Sequence, residues 1–179
     1  SSAASYVYKR QVMINAIHFY RIARWLYLHH IPILPKFIQL VIFIVYNCNI
    51  PYKANIGKGS FFNHAGMGVL INPHVSIGEN TKIGNNCSIV GQGPYKNAPI
   101  IGNHVYIGPG AVIQGPVVID DNVIIAPNCV VTKSVPQYAI VAGVPAKIIG
   151  DVRKLDYDIF KNESWNDNIH PYLENQEIH

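Results

Sequence analysis

The sequence predicts a mainly β chain wound into a three-sided column, and three observations carry that prediction. Aliphatic side chains return at every sixth position, at Ile71, Ile77, Ile83 and Ile89 and again at Ile101, Ile107, Ile113, Ile119, Ile125 and Val131. Two positions ahead of these stand small or medium residues: Val75, Thr81, Cys87, Val105, Ala111, Val117, Val123 and Cys129. One position after several of them stands a glycine, at 57, 78, 84, 102 and 108.

A helix repeats its buried face every 3.6 residues and a flat strand every two. A period of six follows if each strand is short and the chain turns a corner after every six residues. The aliphatic side chain then points inward once per face, and three faces close a coil of about 18 residues, the signature of hexapeptide β-helices. The small column suits corners crowded by neighbouring coils, which gives Cys87 and Cys129 a structural role. Glycine suits a tight corner. The rhythm starts at Ile50, Ile56 and Phe62, so four to five coils are expected by Val131. Uncovered flat faces on such a column predict a symmetric oligomer.

Two places disturb the rhythm. Nine residues separate Phe62 from Ile71, so "NHAGMGVLI" carries three extra. Twelve separate Ile89 from Ile101, and "VGQGPYKNAP" reads as a loop leaving the coil. Insertions in repeat proteins map to loops on one face, where function collects.

Ahead of the column, residues 8 to 30 read as helix, with Arg21 and Arg24 on the face of His18 and Leu28. Pro32 is expected to stop it, and Pro35 suits the first turn of a second helix running to about Tyr46. This pair is expected to cap the column. The apolar run "FIQLVIFIVY" has ten residues, where about 20 are needed to span a bilayer. A buried or interfacial helix is expected there, and residues 37–46 are the place for any peripheral membrane contact. The chain thus divides into a helical cap (1–47), a β-helix domain (48–150) and a polar tail (151–179), either a docked short helix or partly disordered. The opening "SSAAS" is set aside, and no signal peptide is legible.

Composition narrows the function. Of 179 residues, 49% are hydrophobic and only 13% charged, so burial is extensive or shared between subunits. A net charge of +4 without a basic run argues against nucleic acid. Three cysteines without a CxxC pair point to a reducing compartment, the cytoplasm, with the inner membrane surface as the place of any membrane contact. The histidines are scattered and no thiol pair accompanies them, so no metal is expected.

The segments "RIARWLYLHHIPILPKFIQLV", "CNIPYKANIGKGSFFNHAGMGVLIN" and "VVTKSVPQYAIVAGVPAKIIG" carry a resemblance. Over roughly residues 15 to 150 the chain resembles the hexapeptide-repeat acyltransferases, in their serine acetyltransferase-like branch, and most of all the short members found in surface-polysaccharide gene sets. The resemblance implies a left-handed parallel β-helix, a homotrimer, and acetyl-CoA as co-substrate.

Acetyl transfer from a thioester to an alcohol needs a base for the hydroxyl proton, and histidine suits that near neutral pH. His64 lies in the three-residue interruption and matches the family's catalytic histidine. Asn49 stands where the serine-specific enzymes carry the aspartate that orients the imidazole. Asn63 stands where they carry one that holds the acceptor, and Ala98 roughly where they carry a second histidine. The departures at Asn63 and Ala98 remove charges that a serine zwitterion would use. A sugar hydroxyl beside Asn63 and Tyr95 is therefore the expected acceptor, in surface-polysaccharide synthesis. L-serine O-acetylation and a non-catalytic trimeric scaffold are the alternatives. For the CoA arm the resemblance implies Gly91, Gly108 with Pro109, and Ala126, whose backbone N–H groups would be approached closely. Gly91 N–H is also expected to face the developing oxyanion. Lys133 and Lys147 are expected at the nucleotide phosphates.

Overall fold

The computed structural model describes residues 14–156 and 158–160. Two helices, α1 (Ala16–Leu28) and α2 (Leu34–Tyr46), precede a parallel β-helix of about four turns. Its strands, numbered in chain order, lie on three faces. The first face holds β1 (Asn55–Ile56), β4 (Ser76–Ile77), β7 (Ile100–Ile101) and β10 (Val118–Ile119). The second holds β2 (Phe61–Phe62), β5 (Lys82–Ile83), β8 (Tyr106–Ile107) and β11 (Ile124–Ile125), extended by β13 (Ala139–Ala142) and β14 (Lys147–Asp151). The third holds β3 (Leu70–Ile71), β6 (Ser88–Val90), β9 (Val112–Gln114) and β12 (Val130–Val131).

The six-residue rhythm is the register of these sheets. Ile77 pairs with Ile101 and that with Ile119; Ile83 with Ile107 and that with Ile125; Ile89 with Ile113 and that with Val131. Each is buried, and together they form three inward columns, each side chain worth about 1.5–3 kcal/mol relative to exposure. The small column is buried as well, and its polar member Thr81 donates to Gly102 O at 3.2 Å and accepts from Val105 N. Cys87 and Cys129 are fully buried within it.

The glycines serve a different purpose from the expected corner freedom. None of the five at 57, 78, 84, 102 and 108 has a positive φ. A Cβ at Gly84 would lie 2.5 Å from Pro109 N, and one at Gly57 2.4 Å from the Gly78 carbonyl carbon. These glycines let one coil approach the next. The left-handed corners fall two residues later, at Gly59, Asn80, Asn86, His104, Gly110, Asn122 and Asn128, where asparagine and glycine tolerate positive φ.

The helices are shorter than the sequence suggests at one point. Asn15 Oδ1 accepts from Ile17 N and caps α1, so the helix begins at Ala16; the expected residues 8–13 lie outside the described part. Its end is set before Pro32, by His30 in the left-handed region (φ 58°). Pro35 does sit in the first turn of α2. α1 lies over the free edge of the first coil. Arg21 donates to Ile56 O and Gly57 O, Arg24 to Tyr52 O and Lys53 O, and Tyr20 Oη to Ala54 O at 2.7 Å. Carbonyls that would be an open strand edge are thereby satisfied. At the other end β14 pairs antiparallel to β13. The chain then returns across the second face, where Lys82 Nζ donates to Ile159 O (2.8 Å) and Phe160 O (3.1 Å). The remainder of the expected tail, from residue 161, lies outside the described residues.

Candidate active site

Both interruptions leave the column where the rhythm breaks. Residues 91–98 form a loop at the corner between the third and first faces, and Tyr95 N donates to Gln92 O within it. The three-residue interruption forms a 3₁₀ turn, Asn63–Gly66, between the second and third faces. His64 (φ 48°, ψ 43°) and Ala65 (φ 60°, ψ 5°) are both left-handed, and Gly66 and Gly68 follow with φ of 94° and 70°. Two successive non-glycine residues in this region store of the order of 1–3 kcal/mol each. Their consequence is that the His64 side chain stands exposed on a turn whose next two residues, Ala65 and Gly66, are buried. The His64 ring has no hydrogen-bond partner among the described residues.

This turn is braced by α1. Asn15, besides capping the helix, donates from Nδ2 to Phe62 O at 2.6 Å, two residues before His64. A Cβ on Gly66 would lie 3.3 Å from the Ala16 methyl, so the start of the helix and the turn are in close packing. Sequence reasoning missed Asn15 here, although an asparagine just before an apolar-periodic run is a helix-cap signal.

Asn49 stacks on the third face against Leu70, donating from its backbone to Val69 O and accepting from Ile71 N. Its side-chain oxygen accepts from Gln39 Nε2 at 2.9 Å. Among the described residues no hydrogen bond joins it to His64; Asn49 instead lines a groove of about 340 Å³ with Lys36, Gln39, Leu40, Phe43 and Tyr52. Gln39 was the lone polar residue of "FIQLVIFIVY", and its partner explains why it is there. Asn63 sits half-buried at the start of the turn, Tyr95 is exposed in the loop, and Ala98 packs against the core.

The expected CoA residues divide. Gly108 N and Ala126 N already donate to Ile125 O and Val141 O in the coil ladder, at 2.8 and 2.9 Å, so neither N–H is free for a ligand. Gly108 is glycine because a Cβ would lie 2.5 Å from Pro127 N, and Pro109 fills the matching space above Gly84. Gly91 opens the loop, and a Cβ there would meet nothing closer than 3.7 Å. Lys133 and Lys147 are brought together: both line a cavity of about 300 Å³ with Thr132 and Ser134. His104, at a left-handed corner, packs edge-on to Phe160 at 6.0 Å under the returning chain, which is a structural role. No described helix is long and apolar enough to cross a membrane.

Residues 98–133 match the family model of the bacterial transferase hexapeptide (six repeats). The chain is 32% identical over 137 residues to a serine acetyltransferase of Synechococcus elongatus, covering 75% of this chain and 56% of that one. Its fold matches the serine acetyltransferase of Brucella abortus solved with coenzyme A, at a TM-score of 0.72 and 32% identity over 76% of this chain and 55% of that one. It matches equally the enzyme of Neisseria gonorrhoeae solved with serine, at a TM-score of 0.70 and 32% identity over 75% and 55%. The chain therefore spans little more than half the length of these relatives. These matches overturn the expected sugar acceptor and the placement in polysaccharide synthesis. That expectation rested on lost charges at two positions, 63 and 98, while the likeness to serine acetyltransferases extends over three quarters of the chain.

Proposed function

We propose that this chain, a hexapeptide-repeat transferase with serine acetyltransferase homologues, is an acetyl-CoA-dependent O-acetyltransferase whose acceptor is L-serine. The observation that carries the reading is the exposed His64 on a left-handed turn at the interruption of a column that superposes on serine acetyltransferases. His64 takes the proton from the serine hydroxyl as its oxygen attacks the thioester carbonyl. The C–O bond forms, the C–S bond breaks, and the proton passes from the imidazolium to the departing thiolate of CoA. Base catalysis of this kind is worth about 10²–10⁴-fold.

Lys133 and Lys147, lining one cavity, are the candidates for the CoA phosphates, as point charges. Gly91 opens the loop beside which the thioester would lie. Asn63 and Tyr95 are the candidates for acceptor contact, and a homotrimer would complete the site by setting the loop of one subunit against the turn of another.

The test is thiol release from acetyl-CoA with L-serine as acceptor. His64→Ala is expected to lose at least a hundredfold in kcat while still binding CoA. Full turnover in that variant would remove His64 from the mechanism, and no turnover by the unaltered protein would remove the acceptor.

A further inference from the structure

The net charge of +4 hides a division along the chain. The first 78 residues hold no aspartate or glutamate, but seven lysines and arginines: Lys9, Arg10, Arg21, Arg24, Lys36, Lys53 and Lys58. All ten acidic residues follow, against seven further cations. The part of the molecule built from α1, α2 and the first coil is thus purely cationic, the later coils are close to neutral, and the acidic excess lies after residue 150.

That cationic part also carries the most exposed apolar surface. Phe37, Leu40 and Ile44 recur at i, i+3 and i+7, one stripe along α2, and are 59%, 52% and 70% exposed, and Ile33, just ahead of the helix, is 78% exposed. Only Pro35, Ile42 and Tyr46 of α2 are buried. On α1, Ile22 and Trp25 are also more than half exposed. A helix apolar on nearly all sides is normally covered, and a stripe of this size marks an interaction surface. At 13 residues α2 is about 20 Å long, too short to span a bilayer. It has the length and character of a helix lying in the headgroup layer, with Lys36 beside the stripe.

We infer that this face docks on an anionic lipid bilayer, the α2 stripe entering the acyl boundary and Lys36 and Lys53 meeting the headgroups. Charge selects this occupant over a second copy of the chain. Pairing of the face with itself would bring two cationic surfaces together, with no carboxylate in the first 78 residues to offset them. Anionic headgroups supply the complementary charge. The inference stands apart from the identity of the acceptor.

The experiment is sedimentation of the full chain with vesicles of phosphatidylcholine alone and of phosphatidylcholine with phosphatidylglycerol in equal parts. The protein is expected to pellet with the anionic vesicles about tenfold more strongly, and to be released by salt. In a Trp165→Phe background, the fluorescence of Trp25 is expected to shift to the blue on binding. The combined variant Phe37→Ser, Leu40→Ser, Ile44→Ser alters only exposed side chains and is expected to remain in the supernatant with unchanged oligomeric mass and melting temperature. Lys36→Glu is expected to weaken pelleting several-fold. Failure of the unaltered protein to pellet overturns the inference, as does undiminished pelleting of the triple variant. A smaller oligomer in the triple variant assigns the stripe to a second copy and overturns it as well.

Discussion

Asn15 does two jobs with one amide, and its two ends can be separated by substitution. Its oxygen caps α1 through Ile17 N, while its nitrogen donates to Phe62 O ahead of the turn that bears His64. Asn15→Asp keeps the cap and loses the donor. The expected outcome is a fall in kcat of about tenfold or more, since small displacements of a catalytic group are costly, with an unchanged KM for acetyl-CoA and an unchanged melting temperature. A melting temperature that falls in step with kcat would make the role merely structural. Asn49 invites the opposite test. Gln39 Nε2 already donates to its oxygen at 2.9 Å, so a carboxylate there would keep this bond and offer a second oxygen, with charge, to an imidazolium. Asn49→Asp is expected to raise kcat with L-serine several-fold, read by thiol release; no change would detach residue 49 from His64. Neither the bond from Asn15 to Phe62 nor the Gln39–Asn49 pair was legible in the sequence, because both depend on which loop the helices touch.

At the scale of the strand and corner, legibility was high and its explanation was partly mistaken. The inward column from Ile71 to Val131 could be read from spacing alone, because each inward position is fixed by local alternation and by the same corner repeated. The glycines were located correctly and misread: their lack of a Cβ serves the approach of neighbouring coils, a contact between residues about 18 to 24 apart that spacing within one coil does not reveal. Gly108→Ala tests the new reason. Its φ is ordinary, so a role in backbone freedom predicts little effect, while a Cβ 2.5 Å from Pro127 N forces coils apart. A loss of the order of 1–3 kcal/mol is expected in denaturant unfolding. The same stacking of coils takes up the N–H groups of Gly108 and Ala126, which donate to the next turn, a contact that spacing within one coil does not reveal.

For the molecule as a whole, burial silences the sulfur chemistry. Cys48, Cys87 and Cys129 are all free and buried, and burial pushes the Cys48 thiol up to about 12 and that of Cys87 to about 11. Thiolate is the reactive form, so titration with a thiol reagent at about pH 8 is expected to count no fast-reacting cysteine in the folded protein and three in denaturant. A rapid thiol in the native state would show that the column opens. The overall fold was legible because a repeat restates its rule many times. The acceptor was not, because two amides and an alanine are too few letters to outweigh the rest of the chain.

The outgoing loop between Ile89 and Ile101 replaces a six-residue step with a twelve-residue one, so it adds one whole period. Segments of other lengths can be spliced there as long as the ends rejoin at adjacent faces, and every later isoleucine keeps its place in the stack. The length and sequence of that loop can therefore drift while the scaffold behind it stays unaltered, whereas the three-residue turn bearing His64 has no such latitude.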